Sequence, residues 1–219
     1  MFRLSEEEIR SLVGQPESGM GYQVVDAVTS DFRTKRGVVF NAELLALDED
    51  RETDRLVLLK KSAAEVLRAA DSSAGKFRSL SVVRDHRTTV LSMRAAKAGG
   101  ASGASTEKTK EDEKFYRFSA FENDRRVRAD NSLSPGTYAT TEEDGSKVKT
   151  GKEAVERYAL PNDDPASYRF TIEPAQDTTI QKGIVQPANG RKGGGVEVIF
   201  TDGTQKDTVT LPPTKLPDE

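Results

Sequence analysis

Residues 97–114 read KAGGASGASTEKTKEDEK, and this stretch decides how the chain is divided. It offers glycine, alanine, serine and charge but no side chain that a core could use. It is therefore expected to be a flexible linker over residues 97–113. A coil of this composition spans about 20–25 Å end to end. The expectation is an α+β protein of two small, mostly antiparallel β-rich segments, 1–96 and 114–219. Each would carry one or two helices, tethered but not necessarily docked.

Upstream, Ser5 and Glu8 have capping-box spacing, and Leu4, Ile9, Leu12 and Val13 suit one apolar stripe, so a short helix is expected over 5–13. YQVVDAVT (22–29) and GVVFNAELLAL (37–47) read as the two arms of a β-hairpin. RLVLLK (55–60) suits a third strand, SAAEVLRAA (62–70) a capped helix, and residues 77–83 with 88–93 a final strand pair.

Downstream, FYRFS (115–119), TYATT (137–141), YRFTI (168–172), residues 179–185, 195–201 and 208–211 all have strand character. Residues 142–147 read as a polar loop. Thr150 to Leu160 is expected to be helical, with Thr150 and Glu153 forming a second capping box and Ala154, Val155 and Tyr158 the apolar face.

The composition removes several chemistries. There are 219 residues and no cysteine, which leaves no thiol nucleophile, disulfide or thiolate metal site. The single histidine, His86, lies in the charged run Arg84-Asp85-His86-Arg87 and reads as a solvated turn residue, so no metal site is expected. The net charge is −3 with acids and bases interleaved, which gives no basic field for nucleic acid or an anionic membrane. The N-terminal MFRLSEEEIRSLVG has neither a basic nor an apolar signal region, and a soluble, cytoplasmic protein is expected.

Three places could carry chemistry. Arg117 sits within an apolar strand, where its guanidinium needs an anion or water. Alternation places it opposite Tyr116 and Phe118, free to hold a diphosphate bidentately or to lie on the wet face of an edge strand. LSPGTYATT (133–141) is a turn feeding a strand of small hydroxyl and aromatic residues. There Tyr138 could stack on a flat ring and Thr140 or Thr141 could hydrogen-bond it. PANGRKGGGVEVIF (187–200) places three glycines before a strand that contains Glu197. The glycines are not a P-loop, because Lys192 precedes them. Glu197 could stabilise an oxocarbenium-like centre, or be a half-exposed strand residue. In the helix, Glu153 and Arg157 are spaced to pair across one turn.

The order arginine, small hydroxyl-and-aromatic strand, glutamate resembles the three-part signature of ADP-ribosyltransferase-fold domains. ERYALP, YRFTIEP and GIVQPANGRKGGGVEVIF are similar to the C-terminal half of NAD-glycohydrolase toxin domains of the tuberculosis necrotizing toxin type. The resemblance covers residues 115–200. It implies NAD as substrate, Arg117 and Glu197 as catalytic residues, and Arg117, Tyr138, Thr140 and Thr141 as the NAD-binding set. Gly195 departs from the Gln or Glu that arginine-directed transferases carry two positions before the glutamate, so NAD hydrolysis or transfer to another acceptor fits better. A protein acceptor or partner is one implied possibility. The alternative class is a non-enzymatic interaction or structural protein made of two tethered β-rich modules.

Overall fold

The computed structural model describes residues 1–48, 70–73, 76–83 and 101–219. The strand expected at 55–60, the helix expected at 62–70 up to residue 69, the strand expected at 88–93 and His86 lie outside the described residues.

The first sheet is built from β1 (Phe2–Arg3), β2 (Tyr22–Thr29), β3 (Thr34–Phe40), β4 (Leu44–Leu47), β5 (Asp71–Ser72) and β6 (Phe77–Val82), in the order β5-β1-β4-β3-β2-β6. The expected hairpin is present, with Tyr22 opposite Phe40 and Val28 opposite Thr34. Its second arm is not one run to Leu47. The backbone turns at Asn41 and Ala42, both at positive φ, and the chain returns as β4 beside β3. The apolar pattern alone could not reveal that turn, because residues 37–40 before it and 44–47 after it are all buried. Helix α1 (Glu6–Val13) starts in the expected Ser5–Glu8 capping box. It lays Ile9 and Leu12 against Val25, Ala27, Val39 and Leu45.

The second sheet contains β7 (Ala101–Lys108), β8 (Phe115–Ser119), β9 (Thr137–Thr141), β10 (Tyr168–Ile172), β11 (Thr179–Val185), β12 (Val196–Phe200) and β13 (Val209–Lys215). Its order is β13-β10-β8-β9-β12-β11-β7, and the pairings are antiparallel. Within the linker expected over residues 97–113, residues 101–108 are not a free coil but strand β7. Ala101 to Lys108 pairs with β11 from Val185 back to Thr179. An edge strand is held by its backbone and needs no apolar side chains, which is why a composition that has nothing to bury still forms one here.

Helix α2 (Glu142–Gly145) occupies the expected polar loop, with Thr141 as its cap. Helix α3 (Gly151–Arg157) has the expected Thr150–Glu153 capping box. One face of the second sheet packs Phe118, Tyr138, Val185 and Ile199 against Val148, Ala154, Val155 and Tyr158. The other packs Phe115, Phe170, Ile172, Val198 and Phe200. Among the described residues no helix is long and apolar enough to cross a membrane.

The two sheets are docked. Asn41 donates to the Asn123 carbonyl at 2.9 Å and accepts from the Arg125 amide at 2.9 Å. Arg125 pairs with Glu43 at 3.1 Å, and Phe121 packs against Val38, Phe40 and Leu44. Acids on the first sheet meet bases from the second.

Candidate functional site

Strands β8 and β9 pair only at Phe115 with Thr141 and at Tyr116 with Thr140. Continuing that register would set Phe118 opposite Tyr138. The strands part instead, and a loop from the first sheet's side fills the wedge. The Phe118 amide donates to Met20 Sδ at 3.2 Å. The Tyr138 amide donates to Glu17 Oε2 at 2.8 Å. The Tyr138 carbonyl accepts from Arg117 Nη1 at 2.8 Å. Backbone groups that a ladder would have paired with each other are satisfied by three side chains, two of them from residues 17–20.

Arg117 is fully buried and bound on all sides. Nη1 and Nη2 donate to Glu17 Oε2 and Oε1 at 2.9 and 2.8 Å. Nε and Nη2 donate to Asp124 Oδ2 and Oδ1 at 2.7 and 3.3 Å. With the Tyr138 carbonyl, these use all the donors of a guanidinium. Burial alone would lower its pKa, but the Asp124 and Glu17 carboxylates outweigh that and hold it above the ordinary arginine value. The sequence expects Arg117 to hold a diphosphate or to lie on a wet edge; here it is buried and its guanidinium is taken by the Glu17 and Asp124 carboxylates of this chain.

Arg126 completes a buried quartet of two cations and two anions. Its Nε lies 3.6 Å from Glu17 Oε1. Its other nitrogens donate to the Val13 and Gln15 carbonyls at 2.6 and 2.8 Å, capping the end of α1. Burial holds its pKa below the usual value, with Glu17 opposing.

Glu197 is buried on β12 and shares its face with Ile199, as alternation predicts. Burial, and then the Glu17 charge, push its pKa up to about 8. Its field is felt by the Tyr138 hydroxyl, and by that of Tyr22, which reaches from β2 to hydrogen-bond the Asn189 side chain. Burial comes first in raising both phenols. The fold therefore brings Arg117 and Tyr138 into direct contact and sets Glu197 within electrostatic reach of Tyr138 and Glu17.

Thr140 and Thr141 turn elsewhere. Thr141 Oγ1 accepts from the Asp144 amide and caps α2. Thr140 Oγ1 lies 3.5 Å from the Asp144 carboxylate. Asp144, expected in a polar loop, is a buried hub. It accepts from Arg157, from the Tyr158 hydroxyl at 3.2 Å and from the Val196 amide at 3.0 Å. Arg157 thus pairs with Asp144, while Glu153 is engaged in its capping box.

The three glycines are tied into the fold by their backbone. Their amides donate to the Glu156, Val185 and Arg157 carbonyls at 3.1, 2.9 and 3.1 Å. A Cβ at Gly195 would stand 2.6 Å from the Tyr158 ring. This close approach lets α3 sit against the start of β12, one residue before Val196 and two before Glu197.

Glu17, Asp124 and Arg126 were not singled out in the sequence. Their signal is faint. PESGMG (16–21) looks like a helix stop, and ENDRRVRAD (122–130) looks like solvated charge.

No family model matches the chain, and no curated protein matches it. A solved structure described as Tne2 in complex with Tni2 is similar over 55% of this chain and 99% of that one. The identity is 19% and the TM-score 0.40, a likeness too slight to carry an argument.

Proposed function

We propose that the second sheet carries an NAD-consuming site, of NAD glycohydrolase or ADP-ribosyltransferase type, in the wedge between β8 and β9. One observation supports this above the others. Where the sheet opens, a guanidinium and the Tyr138 backbone groups are engaged by side chains instead of a neighbouring strand, and the buried Glu197 carboxylate lies within electrostatic reach of Tyr138.

In this reading Arg117 holds the diphosphate, and the Tyr138 amide donates to it where Glu17 now accepts. The Tyr138 ring stacks on the nicotinamide. The bond from ribose C1′ to the nicotinamide nitrogen breaks, and its electron pair leaves with neutral nicotinamide. Ionised Glu197 stabilises the oxocarbenium-like carbon. Water, or an acceptor nucleophile, then bonds to C1′ and loses a proton to solvent. Glu197 must ionise for this. The positive nicotinamide ring favours its ionised form, as does loss of the neighbouring Glu17 charge.

The test is nicotinamide release from NAD by the full chain with Arg117 freed by Glu17→Gln, read against the same chain carrying Glu197→Gln as well. Release above that of the doubly substituted chain is expected, and equal rates would end the proposal.

A second reading is favoured by the complete pairing of Arg117. The wedge is then a structural joint between two modules of an interaction protein. It predicts that no variant freeing Arg117 binds NAD.

A further inference from the structure

We propose that residues 16–22 are a built-in inhibitor of this site, with the Glu17 carboxylate seated where a dinucleotide phosphate would bind. The proposal rests on the NAD-handling reading above and concerns how that site is governed.

The Glu17 carboxylate accepts four hydrogen bonds, from Arg117 Nη1 and Nη2, the Tyr138 amide and the Gly21 amide. A bidentate guanidinium and a converging backbone amide are the donor set that a phosphate takes. Met20 holds the Phe118 amide, and Tyr22 reaches Asn189 in the turn that precedes Glu197. One short loop thus touches β8, β9 and the approach to β12 together.

The loop is shaped for insertion. The Ser18 amide donates to the Tyr22 carbonyl at 3.0 Å, and the Tyr22 amide to the Gly19 carbonyl at 3.2 Å. Pro16 packs on Gly136, and the Glu17 amide donates to the Gly136 carbonyl at 3.1 Å.

A simple staple between the sheets would not need this arrangement. Asn41, Glu43, Arg125 and Phe121 already join them away from the wedge. Inserting Glu17 interrupts the β8–β9 ladder and buries four charges. A buried ion cluster is seldom more stable than an apolar one of the same volume. Its cost is understandable where the groups on the second sheet serve another ligand when the loop leaves.

The experiment uses three full-length chains: wild type, Glu17→Gln, and Asn41→Ala with Arg125→Ala. The last loosens the docking without touching Arg117, so it carries the test if Glu17→Gln loses cooperative unfolding. NAD affinity is measured by calorimetry and nicotinamide release by chromatography. Glu17→Gln is expected to bind NAD at least about tenfold tighter than wild type, an equilibrium shift of about 1.4 kcal/mol. The double variant moves several-fold the same way. Tighter binding with no nicotinamide release upholds the inhibitor and ends the enzymatic reading. Wild type binding and cleaving NAD as well as both variants ends the inhibitor and upholds the enzyme. NAD bound by none of the folded chains ends both.

Discussion

Glu17 and Arg117 stand 100 positions apart in the chain and meet as a two-bonded pair at 2.8 and 2.9 Å, with both side chains sealed from water. This contact couples the first sheet to the second, so either partner acts on the stability of both. Arg117→Met leaves Glu17 and Asp124 buried with one guanidinium, that of Arg126, between them. Removing one partner of a buried pair costs about 3–5 kcal/mol. Glu17→Gln combined with Arg117→Met should cost less than the sum of the single changes, because each removes the other's orphaned charge. Urea midpoints of the three chains measure this, and strict additivity would show that the pair is not coupled.

Glu197 predicts a specific pH dependence. Its folded pKa is raised from 4.5 to about 8, so the folded chain holds this proton where the unfolded chain has lost it. The stabilising contribution is therefore complete below about pH 4.5 and is lost as pH rises toward 8. The slope from this group is on the order of 1 kcal/mol per pH unit. Glu197→Gln removes it, so the variant should gain on wild type steadily between pH 5 and 8 in denaturant unfolding. Asp144 has the opposite sign. Despite the penalty of burial, hydrogen bonds from Arg157 and Val196 hold its pKa below the usual carboxylate value of 3.8. Its contribution is present above that value and lost on strong acidification. A flat difference between wild type and Glu197→Gln across this range would mean that Glu197 is ionised when buried.

Both described capping boxes, the first hairpin and the α+β class were legible because each is set by residues within a few positions of one another. Alternation also gave the right face for Glu197 and the need of Arg117 for an anion. The identity of that anion was not legible. Glu17 lies on the other side of the chain's midpoint, and nothing local to PESGMG distinguishes a buried ligand from a surface turn. The parting of β8 from β9 was hidden for the same reason, since a sheet opens only when something else satisfies its backbone. In sequence Thr141 looks like a ligand contact because a strand end and a helix cap look alike until Asp144 is seen three residues on.

The linker expectation gives a direct measurement. If Ala101 to Lys108 is an edge strand, its amides that face β11 exchange slowly with solvent, and the alternate ones exchange as in a free chain. A flexible tether would exchange fast throughout. Hydrogen exchange resolved at single amides distinguishes the two. Proline at an inward-facing position should also raise exchange along the paired residues of β11.

Gly195 gives the last prediction, because it separates packing of the glycine run from any direct part in binding. A methyl group there would sit 2.6 Å from the Tyr158 ring and 3.0 Å from Arg157 Cγ. Both groups are held by Asp144, the ring through its hydroxyl and the guanidinium through a charged pair, so neither can swing away cheaply. Gly195→Ala should therefore cost about 1–3 kcal/mol, the usual penalty for overpacking. Gly14 is the control. Its backbone is helical, and a methyl there meets only carbonyl oxygens at 3.5 Å and beyond. Gly14→Ala should be neutral or stabilising by up to about 1 kcal/mol, since it restricts the unfolded chain. Thermal unfolding of the two variants reads the contrast. If Gly195→Ala is as harmless as Gly14→Ala, α3 does not press on the start of β12, and the placement of Glu197 cannot depend on that contact.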